Sequence, residues 1–467
     1  MKSLNVRDPF TLFVLGTGLL SLFLILFSDA GIGLAVILGA VITGTVLLAI
    51  SLESIIYILL FVRPSLDIFG TFAVSLIPGL PSINIAGMIA IISIILSLGI
   101  LVRSKHNTTE IPLFWPLVLF VLAHGVFSIG SIDLGVSINE IVRVTSFVIM
   151  YFAGYEIVKD RDDFFRLIWV IILSGLIPGG VAVYEMISGN GLYTNPGFEN
   201  RIAGTFGHPN VLGYFLLIVL ALMVYMFLEK KVRGSMTQLL FIVYGLILST
   251  LLIATYTRGA WIGFALLIGG VSLIRWPRRT IVVSAVSVPI MIVASLGYIW
   301  LESNVFVGWP RFEQIPIIDR VAGLFDGDPS DSILWRQQIW ADMYQEGWER
   351  PLTGFGTGTV EQVTEEVRGL GLGALEVHND YIKFFVEMGF IGFFLFIFMI
   401  AAKLFTLISL TRNRKDLLGI AMIFIVLVVY LSSIWDNLMR QTAVMWIFFA
   451  LLGAVIKYKT EISEAKE

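Results

Sequence analysis

Cysteine is absent from this chain of 467 residues. No disulfide, thiolate nucleophile or cysteine-held metal can form, and the absence marks no redox compartment. Charge is scarce: 14% of residues are Asp, Glu, Lys or Arg, where soluble domains carry about 25%. Histidine occurs only at His106, His124, His208 and His378. The formal net charge of −3 gives no pointer to nucleic acid, and no such partner is expected. No internal repeat and no low-complexity tract is evident.

Apolar sequence is abundant: 57% of residues are hydrophobic, and the mean hydropathy is +0.90. A membrane-spanning helix needs about 20 mostly apolar residues. Apolar runs of that kind fall at about 10–28, 31–49, 51–62, 84–102, 112–129, 138–158, 166–187, 209–228, 237–256, 259–274, 280–300, 381–410, 417–434 and 441–457. The run at 51–62 is short and holds Glu53. The expectation is an all-α polytopic membrane protein with about 12–14 spans, the first of them uncleaved. Its parts are N-terminal membrane helices over 1–301, one large loop with an interfacial helix over 302–378, and C-terminal membrane helices with a short tail over 379–467.

Short connections rich in Lys and Arg alternate along the chain and are expected to face the cytoplasm. Both termini then lie inside. The opposite set carries arginine, with Lys383 as its one lysine. Arginine suits oxyanions because its planar fork binds them in bidentate fashion. Segment 302–378 holds thirteen Asp and Glu against five Arg. Within it, Ser332 to about Trp348 reads as a helix carrying Trp335, Trp340, Tyr344 and Trp348, aromatics that favour a membrane interface. Pro351–Gly358 reads as a turn-rich loop. Its Gly354-Phe-Gly-Thr-Gly358 is no phosphate-loop fingerprint, because no strand–helix unit surrounds it.

The chemistry-bearing residues gather in the arginine-bearing set. His378-Asn379-Asp380 stands where a polar segment meets a long apolar helix. His378 can act as a general base, or it can cap the helix or face water. Arg201 lies on a Gly-rich loop where backbone can approach an anion. His208, before Pro209 and Asn210, suits a helix start. Arg258 interrupts two apolar runs, as a ligand for an anion or as a snorkelling anchor. Arg336 pairs with Asp331 or Asp342, or orients the loop over the site. Asp326, Asp328 and Asp331 resemble a metal site only superficially, so no metal and no other cofactor are expected.

At Arg201–Leu212, Thr257–Trp261, Ser332–Gly358 and His378–Gly392 the chain resembles the O-antigen ligase/polymerase superfamily. The last stretch fits its pattern of His, Asn, nine residues, Gly, two residues, Gly. The resemblance extends over most of the chain from Arg63-Pro64-Ser65 onward. It implies a glycosyltransferase of the C type, which uses no nucleotide sugar and no metal. Such an enzyme moves a glycan from undecaprenyl diphosphate to an acceptor hydroxyl at the outer face of the bacterial inner membrane. It implies that Arg201 and Arg258 hold the donor diphosphate and that His378 activates the acceptor. Arg336, Asn379, Asp380, His208 and Asn210 would support them. A ligase acceptor is the lipid A–core sugar; a polymerase acceptor is a second lipid-linked repeat. The His-Asn spacing favours the ligase. A transporter or flippase is the reading from another class, kept open by Glu53, Glu185 and Glu387.

Overall fold

The computed structural model describes residues 51–69, 73–74, 83–104, 106–189, 201–276, 332–369, 376–411, 413 and 415–462. The expected spans at 10–28, 31–49 and 280–300, and Asp326, Asp328 and Asp331, lie outside these residues.

The other expected spans all form helices. They are α1 (Leu52–Val62), α2 (Ile85–Arg103), α3 (Phe114–Phe127), α4 (Leu134–Ile157), α5 (Arg161–Leu173), α6 (Leu176–Ser188), α7 (Pro209–Leu228), α8 (Ser235–Ala254) and α9 (Arg258–Arg275). After α10 (Ser332–Gly347) and α11 (Val360–Arg368) come α12 (Asp380–Leu410), α13 (Leu417–Ser432) and α14 (Thr442–Lys457). Among the described residues, seven helical stretches are long and apolar enough to cross a membrane: α2, α4, α5 with α6, α7, α8, α12 and α14. The protein is an all-α, multi-pass membrane protein. The only strands among the described residues are the two-residue pair β1 (Ala73–Val74) and β2 (Ile83–Asn84), which run antiparallel.

The centre of the bundle is α14 laid along α4. Small residues let the two backbones touch, as membrane helices without a hydrophobic drive between them require. A Cβ on Gly154 would lie 2.2 Å from the Ala450 carbonyl oxygen, and one on Gly453 would lie 2.0 Å from that of Tyr151. The buried Trp446 indole donates to Ser146 Oγ at 2.9 Å. The expected span at 166–187 falls across α5 and α6, which meet at a turn over Ser174 and Gly175, where Gly175 N–H donates to Ile172 O at 3.3 Å.

A second departure positions the site. The apolar run of α12 is continuous, yet the helix breaks at Gly389, where φ is 60° and ψ −160°. The two carbonyls and one N–H freed by the break are taken up by the loop after α10. Phe355 N–H donates to Val386 O at 3.0 Å, Gly356 N–H to Glu387 O at 2.9 Å, and Phe390 N–H to Pro351 O at 2.7 Å. The contact leaves no room for side chains: a Cβ on Gly354 would sit 2.3 Å from the Glu387 carbonyl carbon, and one on Gly389 2.5 Å from Pro351 O. Gly354 also has φ of 64°, a backbone state that L side chains rarely adopt. Beyond the break, residues 390–410 extend about 31 Å at 1.5 Å per residue, enough to cross a bilayer. The two turns before it, Asp380 to Met388, form a separate half-helix.

Ion pairs bury that half-helix in the bundle. Lys383 Nζ lies 2.9 Å from Glu140 Oε1 on α4 and 2.8 Å from Glu387 Oε2. Glu140 also pairs with Arg143, and Glu387 Oε1 accepts from Val360 N–H at 3.3 Å. Above it, Ile339, Met343, Phe355, Val360, Val363, Val377 and Val386 make a small second core, with Trp335, Trp340 and Ile382 at its edge.

Candidate active site

His378 stands just before the half-helix. Asn379 is the helix N-cap, and its side chain accepts from Tyr381 N–H at 2.9 Å and Ile382 N–H at 3.1 Å. This is the usual work of an asparagine at a helix start. Asn379 N–H donates to Asn437 Oδ1 at 2.8 Å. Asp380 Oδ2 accepts from Met439 N–H at 3.0 Å. Asn379 and Asp380 thus tie the start of α12 to the link between α13 and α14. His378 itself has φ of 50°, a sparsely populated state for a non-glycine residue and of the kind that clusters at functional sites.

That link supplies Asp436, a buried acid with no motif around it. His378 Nδ1 lies 3.4 Å from Asp436 Oδ1 and 3.8 Å from Glu376 Oε2. Asp436 is buried, and Asn437 N–H donates to its Oδ1 at 2.9 Å. Its other oxygen accepts from Asn210 Nδ2 at 2.7 Å. Burial alone would raise the Asp436 carboxyl. The His378 hydrogen bond and charge, the nearby His208 and the Asn210 bond outweigh burial and hold it well below the usual carboxylate range.

The chain of contacts continues to Arg201. Asn210 Oδ1 accepts from Arg201 Nη2 at 2.9 Å. Arg201 Nε donates to Thr255 O at 2.8 Å, and Nη2 lies 3.3 Å from Thr257 Oγ1. Arg201 is almost fully buried, 5% exposed, so these neutral oxygens fix the direction of its fork. The loop that carries it is pinned from behind. Glu185 on α6, also buried, accepts from Ala203 N–H at 2.9 Å and Gly204 N–H at 2.7 Å.

His208 is the N-cap of α7, its Nδ1 accepting from Asn210 N–H at 3.0 Å. Burial, with the charges of Arg201, His378 and Arg336, lowers its pKa to about 4 against the pull of Asp436. It is therefore a neutral ring at pH 7, suited to accept that hydrogen bond. Arg258 is the first residue of α9 and is half-buried; the preceding Thr257 touches both Arg201 and Asn210. Arg336 on α10 is half-buried and close enough for its charge to act on His208. Asp342, one of its two expected partners, lies 3.5 Å from Arg368.

His378, Asn210 and Arg201 thus join through Asp436 into one hydrogen-bonded row. The N-termini of α7, α9 and α12 meet the same row. Helix N-termini carry partial positive charge and favour anions. Among the described residues, no group of three or more His, Asp or Glu side chains is arranged to hold a metal ion. Two of the acids that kept a transporter in view have local work in the fold: Glu185 holds the Arg201 loop, and Glu387 holds Lys383. Glu53 pairs with Lys159 at 2.8 Å.

Residues 242–397 match the family model described as O-antigen ligase. That match, over about a third of the chain, supports the O-antigen ligase/polymerase superfamily. The match supports O-antigen ligase-like glycosyltransferase activity in broad terms, with a glycan-linked lipid as donor in a bilayer. The matched stretch contains Arg258, Arg336 and His378; Arg201, Asn210 and Asp436 lie outside it and reach the site through the fold. No curated protein matches the chain.

Proposed function

We propose that this protein moves a glycan from an undecaprenyl-diphosphate carrier to an acceptor hydroxyl at the outer face of the bacterial cytoplasmic membrane, as an O-antigen ligase does. Both termini face the cytoplasm in this reading. The observation that carries it is the hydrogen-bonded row His378–Asp436–Asn210–Arg201, which links a ring able to accept a proton to a buried arginine suited to an anion.

The chemistry follows from the orientation of the ring. With Nδ1–H directed at Asp436, Nε2 is the basic nitrogen and takes the proton of the acceptor hydroxyl. The acceptor oxygen forms a bond to the anomeric carbon, and the bond from that carbon to the diphosphate oxygen breaks. Undecaprenyl diphosphate leaves with the electron pair. Arg201 and Arg258, with the N-termini of α7 and α9, stabilise the charge that develops on it. Asp436 stabilises the imidazolium until its proton is lost to water. Asn379 and Asp380 keep His378 in register with Asp436, Arg336 closes the site from α10, and His208 with Asn210 sets the start of α7. The arginines supply the positive charge, so the reading requires no divalent metal.

The test is transfer by the purified protein from a lipid-linked glycan to two kinds of acceptor. Transfer to a lipid A–core sugar supports the ligase reading. Elongation of a second lipid-linked repeat makes the protein a polymerase. No transfer from the lipid-linked donor to either acceptor contradicts the reading.

A further inference from the structure

Three indoles adjoin the His378–Asp436 pair through His378, its neighbour Val377 or the chain next to Asp436, and the mechanism above uses none of them. Trp335 meets the His378 ring edge-on, with centroids 6.0 Å apart and planes at 65°. Trp340 donates Nε1–H at 2.8 Å to the carbonyl of Val377, the residue before His378. Trp435 immediately precedes Asp436, and its ring lies 5.5 Å from that of Trp340 at 45°. Trp435 is 49% exposed, whereas Trp335 and Trp340 are half-buried against the second core.

An exposed indole beside a proton acceptor offers a flat, electron-rich face. A pyranose ring offers the complement. Its axial C–H bonds, polarised by neighbouring oxygens, make one face weakly positive and apolar, while its hydroxyls point outward at the rim. Stacking removes water from both apolar faces and leaves the hydroxyls free to reach a base. The platform is also set in advance. Trp340 is held by its bond to Val377 and by the second core, so little side-chain freedom is lost on binding. Tryptophan also serves as an anchor at membrane interfaces. An anchor needs only an amphipathic ring at the right depth. It does not call for Trp335 to meet the His378 ring, Trp340 to bond to Val377 and Trp435 to pack on Trp340.

We propose that Trp435, backed by Trp340 and flanked by Trp335, is the stacking platform for the acceptor saccharide, the sugar ring whose hydroxyl His378 deprotonates. This rests on the glycosyltransferase reading and adds the place and chemical class of the acceptor subsite.

Two measurements test it, using the full chain in nanodiscs. In the first, wild type, Trp435→Phe and Trp435→Leu transfer from saturating lipid-linked donor to increasing acceptor. Leu keeps an apolar anchor but has no ring. The expected result is an acceptor KM raised about tenfold by Leu and less than about threefold by Phe. Equal acceptor KM for Leu and wild type overturns the platform, as does equal impairment by Leu and Phe. In the second, wild type and Trp435→Leu are titrated calorimetrically with short oligosaccharides ending in glucose, galactose or N-acetylglucosamine. Binding by wild type that is weakened in the Leu variant supports the platform even if no transfer is seen, in which case only the glycosyltransferase reading fails. No binding by wild type, or equal binding by both, overturns it.

Discussion

Replacing Asp436 with Asn removes one charge from the centre of the site and changes almost no volume. Asp436 Oδ1 lies 3.4 Å from His378 Nδ1. At that separation two unit charges attract by about 5 kcal/mol at an effective dielectric of about 20. The carboxylate is also hydrogen-bonded by Asn437 N–H and Asn210 Nδ2, so part of its charge is already committed. Roughly half the attraction, about 2–3 kcal/mol, remains specific to the imidazolium formed during transfer. The expected loss in kcat is therefore about 30–150-fold. Donor KM should change little, because Arg201 keeps its bonds to Thr255 and Thr257. The assay is steady-state transfer from a lipid-linked glycan, with thermal unfolding of the variant as a check on its fold. A stable Asp436→Asn protein with kcat within about threefold of wild type would show that Asp436 does not assist His378.

Three further outcomes are expected. Arg258→Lys keeps the charge but loses the bidentate fork, so it should raise donor KM and lower kcat while leaving acceptor KM unchanged; wild-type donor kinetics would remove Arg258 from the diphosphate site. Glu185→Ala strips two backbone N–H groups of their buried acceptor, which costs about 1–3 kcal/mol each; it should lower thermal stability and weaken donor binding, and an unchanged donor Kd would show that the Arg201 loop holds its shape without it. Transfer should survive excess EDTA; if chelation abolishes it, magnesium restores it, and a double Asp326→Ala/Asp328→Ala variant is inactive even with magnesium, the acidic loop holds a required metal.

Much of the helical frame was legible because apolar runs near bilayer length have few other uses. Pro209 at the start of α7 was legible because proline suits a first helical turn, whereas the cap of α12 is Asn379, one residue after the His378 that the sequence offered for that place. The break at Gly389 was not, since hydropathy runs unchanged through it; it depends on N–H and carbonyl partners offered by Pro351, Phe355 and Gly356. Asp436 was hidden likewise. Its partners Asn210 and His378 lie far away in sequence, and a lone aspartate in a short link carries no local signal. Lys383 read as one lysine just inside a helix, and only the approach of α4 brings Glu140 to it. Glu185 looked like a charge stranded in an apolar run until the Arg201 loop folded over it. The sequence thus showed which residues have useful chemistry, while the fold was needed to show which of them meet.

The central claim is that His378 accepts the proton of the acceptor hydroxyl, and single-turnover transfer by His378→Ala tests it most directly. Donor is pre-bound, acceptor is added in excess, and transferred glycan is followed by mass. General-base help is typically worth about 10²–10⁴-fold, so the chemical step should slow by that factor while donor Kd stays unchanged. A His378→Ala protein that transfers glycan within a few-fold of the wild-type rate would contradict the claim.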